Sequence, residues 1–269
     1  QKTAYEIRNC DWSSDVCSSD LVQVRMLDNV IDLNFYPVKE AQFTNQKYRA
    51  VGIGTMNYHG LLATKGLVWE SEEHLDYVDE LYEKIAYYAI ESSCRLAREK
   101  GSYDLFEGSD WQKGDFFGGR ELGNQMDWQG LKRKVQADGL RNGYLLAVAP
   151  TGSISLIAGA TAGIDPIFSK IERTEKKDGV IVAAVPKLAD STFWLYKEAH
   201  KIDQNWVVKA AGRRQKWIDQ AQSLNLFVTS SAKAIELLAY YVNAWKAGCK
   251  SVYYMRSKAV EVEECESCQ

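Results

Sequence analysis

Apolar residues recur at helical spacing over one long stretch. Leu75, Val78, Leu81, Tyr82, Ile85, Tyr88, Ala89 and Leu96 fall on one face, which predicts an amphipathic helix from about Ser71 to Lys100. Gly101 is a good stop for it, and Ser71 with Glu73 and His74 forms an approximate start signal. The same reading predicts helices at Leu131–Asp138 (ended by Gly139), Ser191–His200, Gln215–Ala221 and Ala232–Ala247. The last should turn Ile235, Leu238, Tyr241 and Trp245 inward and stop at Gly248. Alternation or short apolar runs predict strands at Val30–Phe35, Tyr144–Ala149, Val180–Val185, Leu224–Val228 and Ser251–Met255. Gly52 and Gly54 read as points of close backbone packing, Ser102–Gly119 as an irregular surface loop, and Glu172–Gly179 as a solvated, charged hairpin. Strands alternating with helices imply an α/β fold with a largely parallel sheet, its ligand loops at the carboxyl ends of the strands.

Residues 1–21 fit none of this. Asn9 to Asp20 shows neither the helical nor the strand period. The segment is expected to be foreign, a translated adapter or an assembly join, so that Cys10 and Cys17 carry no function.

The chemistry concentrates after the Tyr144–Ala149 strand. Pro150 cannot continue a central strand. Thr151, Gly152, Ser153, Ile154 and Ser155 then supply hydroxyls and unobstructed backbone at the start of an apolar segment. A strand, a small-residue turn and a helix start gather backbone N–H groups in one place, which suits an anion such as phosphate. A plain strand-to-helix connection with a Ser/Thr cap fits the same residues. No Gly-Lys-Ser/Thr follows and there is no G-x-G-x-x-G, so neither a P-loop nor a dinucleotide fingerprint is present at this turn.

Composition narrows the classes. The chain has 269 residues, 46% hydrophobic and 26% charged, as in soluble globular proteins. A net charge of −3 without a basic stripe argues against direct nucleic-acid binding. No apolar run reaches membrane-spanning length and no signal peptide is visible. Six cysteines are too few for a disulfide scaffold of this size, which favours a reducing cytosol. The three histidines, His59, His74 and His200, lie far apart in sequence and suggest no metal cluster. Cys94, inside the long helix, reads as a small buried side chain.

Several stretches, in order, resemble the large (alpha) subunit of ribonucleotide reductase. They are Gly52-Ile53-Gly54-Thr55-Met56-Asn57, Leu140-Arg141-Asn142-Gly143, Pro150-Thr151-Gly152-Ser153-Ile154-Ser155 and Gly163-Ile164-Asp165-Pro166, then Gln215 to Asn225, Lys250-Ser251-Val252-Tyr253-Tyr254 and a cysteine-bearing tail. The resemblance covers roughly residues 28–269 and only the C-terminal half of that subunit. It implies the C-terminal part of a ten-stranded α/β barrel over residues 22–256, with a flexible redox tail at 257–269. Pro150, Thr151, Gly152, Ser153, Ile154 and Ser155 would then bind the diphosphate of a ribonucleoside diphosphate.

On residue types alone, Tyr253 and Tyr254 are neighbours pointing to opposite faces of a strand, ordinary packing residues. The resemblance implies a radical relay: in reductases importing a radical from a metal-bearing small (beta) subunit, this pair resembles the tyrosines that pass oxidising equivalents. In adenosylcobalamin-dependent reductases no such pair is needed, and the Pro-Thr-Gly-Ser-Ile-Ser wording suits that class also. A noncatalytic nucleotide-binding fragment is the remaining reading. Cys265-Glu266-Ser267-Cys268 is ambiguous between zinc and redox chemistry, but two further zinc ligands are lacking nearby. The resemblance implies that Cys265 and Cys268 re-reduce an active-site disulfide and are themselves reduced by thioredoxin or glutaredoxin. Glu261, Glu263, Glu264 and Glu266 should raise the two thiol pKa values somewhat. The thiyl-radical cysteine lies upstream of residue 28 in the family, as do the nucleotide-effector (ATP/dNTP) sites and the homodimer helices. No cofactor is expected on this chain itself, and no membrane or nucleic-acid partner.

Overall fold

In the long amphipathic helix the predicted apolar stripe is buried at Leu75, Val78, Leu81, Tyr82, Ile85, Ala89 and Leu96, while Tyr88 is half-buried. The computed structural model describes residues 12–118, 122–123, 125–176 and 179–258. The helices among them are α1 (Trp12–Leu33), α2 (Lys39–Tyr48), α3 (Tyr58–Lys65), α4 (Glu72–Lys100), α5 (Asp110–Lys113), α6 (Asp115–Gly118), α7 (Trp128–Asp138), α8 (Gly152–Ala158), α9 (Gln204–Gln215) and α10 (Ala234–Lys246). The strands are β1 (Ile171–Lys176), β2 (Gly179–Ala184), β3 (Leu226–Thr229) and β4 (Met255–Lys258). β1 and β2 form an antiparallel hairpin, and β3 pairs with β4 in parallel, Leu226 opposite Met255.

The chain divides into two units. Among the described residues, one comprises 12–54, 75–148 (as far as described) and 213–222. Its extended segments pair in parallel as single bridges, Ile53 with Leu146 and Val148 with Gln222. The predicted Tyr144–Ala149 strand is therefore the middle of three short parallel segments. Asp219 holds it in place, its carboxylate accepting the N–H groups of Leu145 and Leu146 at 2.7 Å each. Gly54 allows the close approach: a Cβ there would stand 2.4 Å from the carbonyl oxygen of Ala147. Against α4, Trp128 and Trp217 stack at 5.5 Å and 11°. Their indole N–H groups donate to Glu83 (2.9 Å) and Asp79 (2.6 Å), one helical turn apart on α4. Asp28 is fully buried in this unit and accepts from Arg49 at 2.8 Å and from Lys100 and Arg141 at 3.2 Å. Asn142 joins the network through Ser93 and the carbonyl of Arg49.

The other unit comprises, among the described residues, 55–74, 149–212 (as far as described) and 223–258. Within its described part, Tyr58, His59 and His74 meet Trp69 edge to face, and Tyr196 joins the cluster through a tilted contact with His59. His59 and His74, distant in sequence, thus flank one tryptophan. Gln204 braces the start of α9: its amide donates to the carbonyls of Ala199 and Ile202 and accepts the N–H of Phe227.

Several sequence expectations need correcting. Val30–Phe35 is not a strand. Val24, Asp28 and Ile31 are buried at helical spacing, so α1 runs through to Leu33 and leaves Val30 and Leu33 exposed. The helix starts at Trp12, within a stretch read as periodless. Ser102–Gly119 is more than a loop, since α5 and α6 bury Trp111 and Phe117. Ser191–His200 is not helical apart from a 3-10 turn at Ala199–Lys201; the Thr192 hydroxyl, bonded to Ala189 N–H and the Lys187 carbonyl, closes a turn there instead. Gln215–Ala221 is not a helix of its own: Gln215 ends α9, a helix that the pattern did not flag, and the residues after it turn, with Trp217 N–H on the Arg214 carbonyl and Ile218 N–H on the Gln215 carbonyl, before the bridge at Gln222. In α10 the buried residue is Ala244, while Ile235, Leu238, Tyr241 and Trp245 are exposed. The final strand begins at Met255, so Tyr253 and Tyr254 precede it.

Candidate functional site

The chain leaves its middle extended segment at Val148 and turns at Pro150 into α8. Thr151 is the residue before the helix, yet its side chain makes no cap bond to it. Its Oγ1 instead accepts the N–H of Gly163 at 2.8 Å. Gly163 has φ +44, a left-handed conformation that favours glycine. Gly152 and Ser153 are exposed at the helix start, where N–H groups have no intrahelical acceptor. A Cβ placed on Gly152 would meet nothing within 4 Å. Pro150 and Ile154 are exposed as well. Ser155 differs: it is buried, and its hydroxyl donates to the Gly152 carbonyl at 2.9 Å. Ser153 is thus the hydroxyl of α8 that faces outward, and Ser155 shapes the turn.

The Gly163-Ile164-Asp165-Pro166 stretch is clamped beside this loop. Asn57 accepts the Thr161 N–H on its side chain and donates its own N–H to the Thr161 carbonyl. The Gly163 carbonyl accepts from Tyr58 N–H. Asp165 accepts from the Asn225 amide at 2.6 Å. His59 is fully buried, with Nδ1 accepting the Ile167 N–H at 3.0 Å and Nε2 3.2 Å from the Leu195 carbonyl. Burial drives its pKa down to about 3, so the ring is neutral.

Tyr253 and Tyr254 lie in the same unit. Their rings do not point to opposite faces: the centroids are 4.0 Å apart at 49°. The alternation rule fails because both residues precede β4 and lack its regular pleat. Both are about half exposed. A hydrogen bond between the two phenols, before any effect of burial, pushes the Tyr253 pKa up. The Arg256 guanidinium lies 5.8 Å from the Tyr254 ring centre. Two backbone bonds of 2.8 Å place the pair, from Tyr253 N–H to the Leu224 carbonyl and from Leu226 N–H to the Tyr254 carbonyl.

Cys265 and Cys268 lie outside the described residues. Cys94 is buried in α4, its thiol pushed up to about 11, chiefly by burial. Among the described residues no group of three or more His, Cys, Asp or Glu could hold a metal ion, and no helix is long and apolar enough to cross a membrane. The Thr151–Gly163 and Asp165–Asn225 bonds were not foreseen from sequence. Both join stretches already singled out there, but pairing between distant segments leaves no local signal.

The family of the ribonucleotide reductase barrel domain matches residues 8–255. The chain belongs to that family. Among similar proteins is the ribonucleoside-diphosphate reductase subunit alpha of Treponema pallidum (strain Nichols), 49% identical over 264 residues, which cover 97% of this chain and 31% of that protein. Subunits of the same name from Helicobacter pylori (strain 26695) and Synechocystis sp. are 46% and 34% identical, each across 90% of this chain. The chain spans about a third of the length of these relatives. Membership in the reductase barrel family gives the α/β class directly, and the parallel pairs at Ile53–Leu146, Val148–Gln222 and β3–β4 agree with it. The described residues contain these pairs and not a closed barrel.

Proposed function

We propose that this chain is the part of a ribonucleoside-diphosphate reductase that holds the substrate's diphosphate, relays the radical and carries the reducing dithiol. The relatives' names state that activity, and the chain covers only a third of each, so the complete reaction needs residues beyond those present here. In this reading Thr151, Gly152 and Ser153 meet the diphosphate, through hydroxyls and the N–H groups that open α8, with Pro150, Ile154 and Ser155 shaping the turn. Tyr253 and Tyr254 carry oxidising equivalents from a radical-generating small subunit that holds the metal cofactor. Cys265 and Cys268 pass electrons from thioredoxin or glutaredoxin. The thiyl-radical cysteine, the ATP/dNTP effector sites and the homodimer contacts are assigned to the upstream part of the complete polypeptide. Residues 1–21 are still proposed to be a foreign stretch, although the family match begins at residue 8; an unbroken native gene reading through them would remove that assignment.

The observation that carries the reading is the tyrosine pair. Two half-exposed phenols in ring contact, their centroids 4.0 Å apart, suit a relay, because each can lose its electron together with its proton. The test is Tyr253→Phe and Tyr254→Phe in the complete two-subunit enzyme. Phenylalanine keeps the ring and loses the ionisable hydroxyl, at a stability cost on the order of 1 kcal/mol. Each variant should bind nucleotide normally and lose turnover. Ordinary turnover in both would make the pair packing residues and favour the adenosylcobalamin-dependent reading.

A further inference from the structure

The diphosphate loop and the tyrosine pair are far apart in sequence but joined by a short series of bonds within one unit. From the loop, Thr151 Oγ1 takes the N–H of Gly163. Two residues on, Asp165 Oδ2 takes the amide of Asn225 at 2.6 Å, a short bond to a carboxylate and so among the stronger kinds. Asn225 is 1% exposed, set between Leu224 and Leu226, which are fully buried. Those two neighbours are the residues that bond to the tyrosine segment, Leu224 through its carbonyl to Tyr253 and Leu226 through its N–H to Tyr254. The tyrosine rings are about half exposed, so packing around them is incomplete and backbone rungs set their position.

We propose that the Asp165–Asn225 hydrogen bond is the brace that couples occupation of the diphosphate loop to the placement of Tyr253 and Tyr254, making Asn225 a positioning residue for radical transfer. The proposal rests on the reading of the loop and the pair given above. An anion drawn to the start of α8 acts on Thr151. Thr151 holds Gly163, and Asp165 follows Gly163 by two residues in a stretch fixed by its bonds to Asn57 and Tyr58. The far end of that stretch grips the one side chain lodged between the two rungs. Asn225 touches neither substrate nor the relay phenols in this scheme. Its effect is a differential one, present only if the loaded and empty loops favour different placements of the brace.

The coupling is read with 3-fluorotyrosine at position 254 of the complete reductase polypeptide, following its 19F resonance as cytidine diphosphate is added and measuring affinity separately by equilibrium dialysis. The unsubstituted Asp165/Asn225 protein should bind the nucleotide and shift the resonance. Asn225→Ala and Asp165→Ala should bind with dissociation constants within about threefold of it, yet lose the shift. Asp165→Asn, which keeps an acceptor for the Asn225 amide, should retain it. Removing the bond from either segment guards against one variant failing to fold, as judged by circular dichroism. A shift that persists in either folded alanine variant overturns the brace. So does a protein that binds cytidine diphosphate with no shift at all, and the loop assignment then stands without it. A protein that binds no cytidine diphosphate removes the loop assignment and the brace together.

Discussion

His59 makes the stability of the chain depend on pH in a predictable direction. The imidazole is fully buried between the rings of Trp69 and Tyr196. Burial lowers its pKa from 6.5 to about 3, and the nearby His74 acts in the same direction, against the Leu195 carbonyl, which favours the protonated ring. The Ile167 N–H also points at Nδ1, so a proton added there would displace a backbone hydrogen bond. Between pH 3 and 6.5 the unfolded chain therefore binds a proton that the folded chain does not. Stability from this residue is complete above pH 6.5 and falls as pH drops toward 3. One pH unit is worth about 1.4 kcal/mol per proton, so moving from pH 7 to pH 5 removes roughly 2 kcal/mol through His59 alone. His59→Gln supplies the comparison. An amide can accept from Ile167 and donate to Leu195 but does not titrate. Its lost ring packing lowers stability equally at both pH values. Urea unfolding followed by tryptophan fluorescence at pH 7 and pH 5 should show the wild-type chain losing about 2 kcal/mol more than the variant across that interval. Equal losses would mean that His59 is protonated in the folded chain or already open to water, and the reasoning fails.

Three further outcomes are expected. Asp28→Asn leaves the buried Arg49 facing a neutral amide, with only the half-exposed Asp32 to balance it, and should lower unfolding stability by about 3 kcal/mol; a change under about 1 kcal/mol in urea titrations would show that Asp32 suffices. Gly152→Val places a side chain where the protein offers no obstruction, so thermal stability should hold while diphosphate affinity in the complete enzyme falls; unaltered affinity in equilibrium dialysis would count against the loop. Cys265→Ser or Cys268→Ser in the complete enzyme should allow a first turnover from pre-reduced protein and then stop with thioredoxin as reductant, so normal steady-state rates in either variant exclude a shuttle.

Period fixed the face of α4, because a 29-residue stripe contains many repeats, and the Ser71 start signal and the Gly101 stop placed its ends almost to the residue. It failed at Val30–Phe35, where a chance alternation begins in the last turn of a helix whose buried positions, Val24, Asp28 and Ile31, include a charge. Asp28 is acceptable there only because Arg49, Arg141 and Lys100 converge on it from distant parts of the chain, and nothing local announces that. The stripe of α10 was also read correctly as apolar and at helical spacing. A sequence period identifies which face needs covering; it does not say whether the cover belongs to the same stretch of chain. Ile235, Leu238 and Trp245 stand exposed on a chain spanning a third of its relatives' length.

The site divides along the same line. What depends on neighbours in sequence was legible: a proline ending an extended segment, small hydroxylated residues opening a helix, two adjacent tyrosines. What depends on the fold was not. Ser153 and Ser155 look equivalent in a string of hydroxyls, yet two residues of helix turn one outward and bury the other against the Gly152 carbonyl. Thr151 looks like a helix cap and serves as an acceptor for Gly163 instead. The tyrosines were assigned to opposite faces by the pleat of a strand that begins only after them, at Met255. Their contact follows from that displacement of the strand's start from Ser251 to Met255. Side-chain chemistry can thus be read from residue type, whereas the direction in which it is presented is set where regular structure starts and stops, the least certain feature of any pattern.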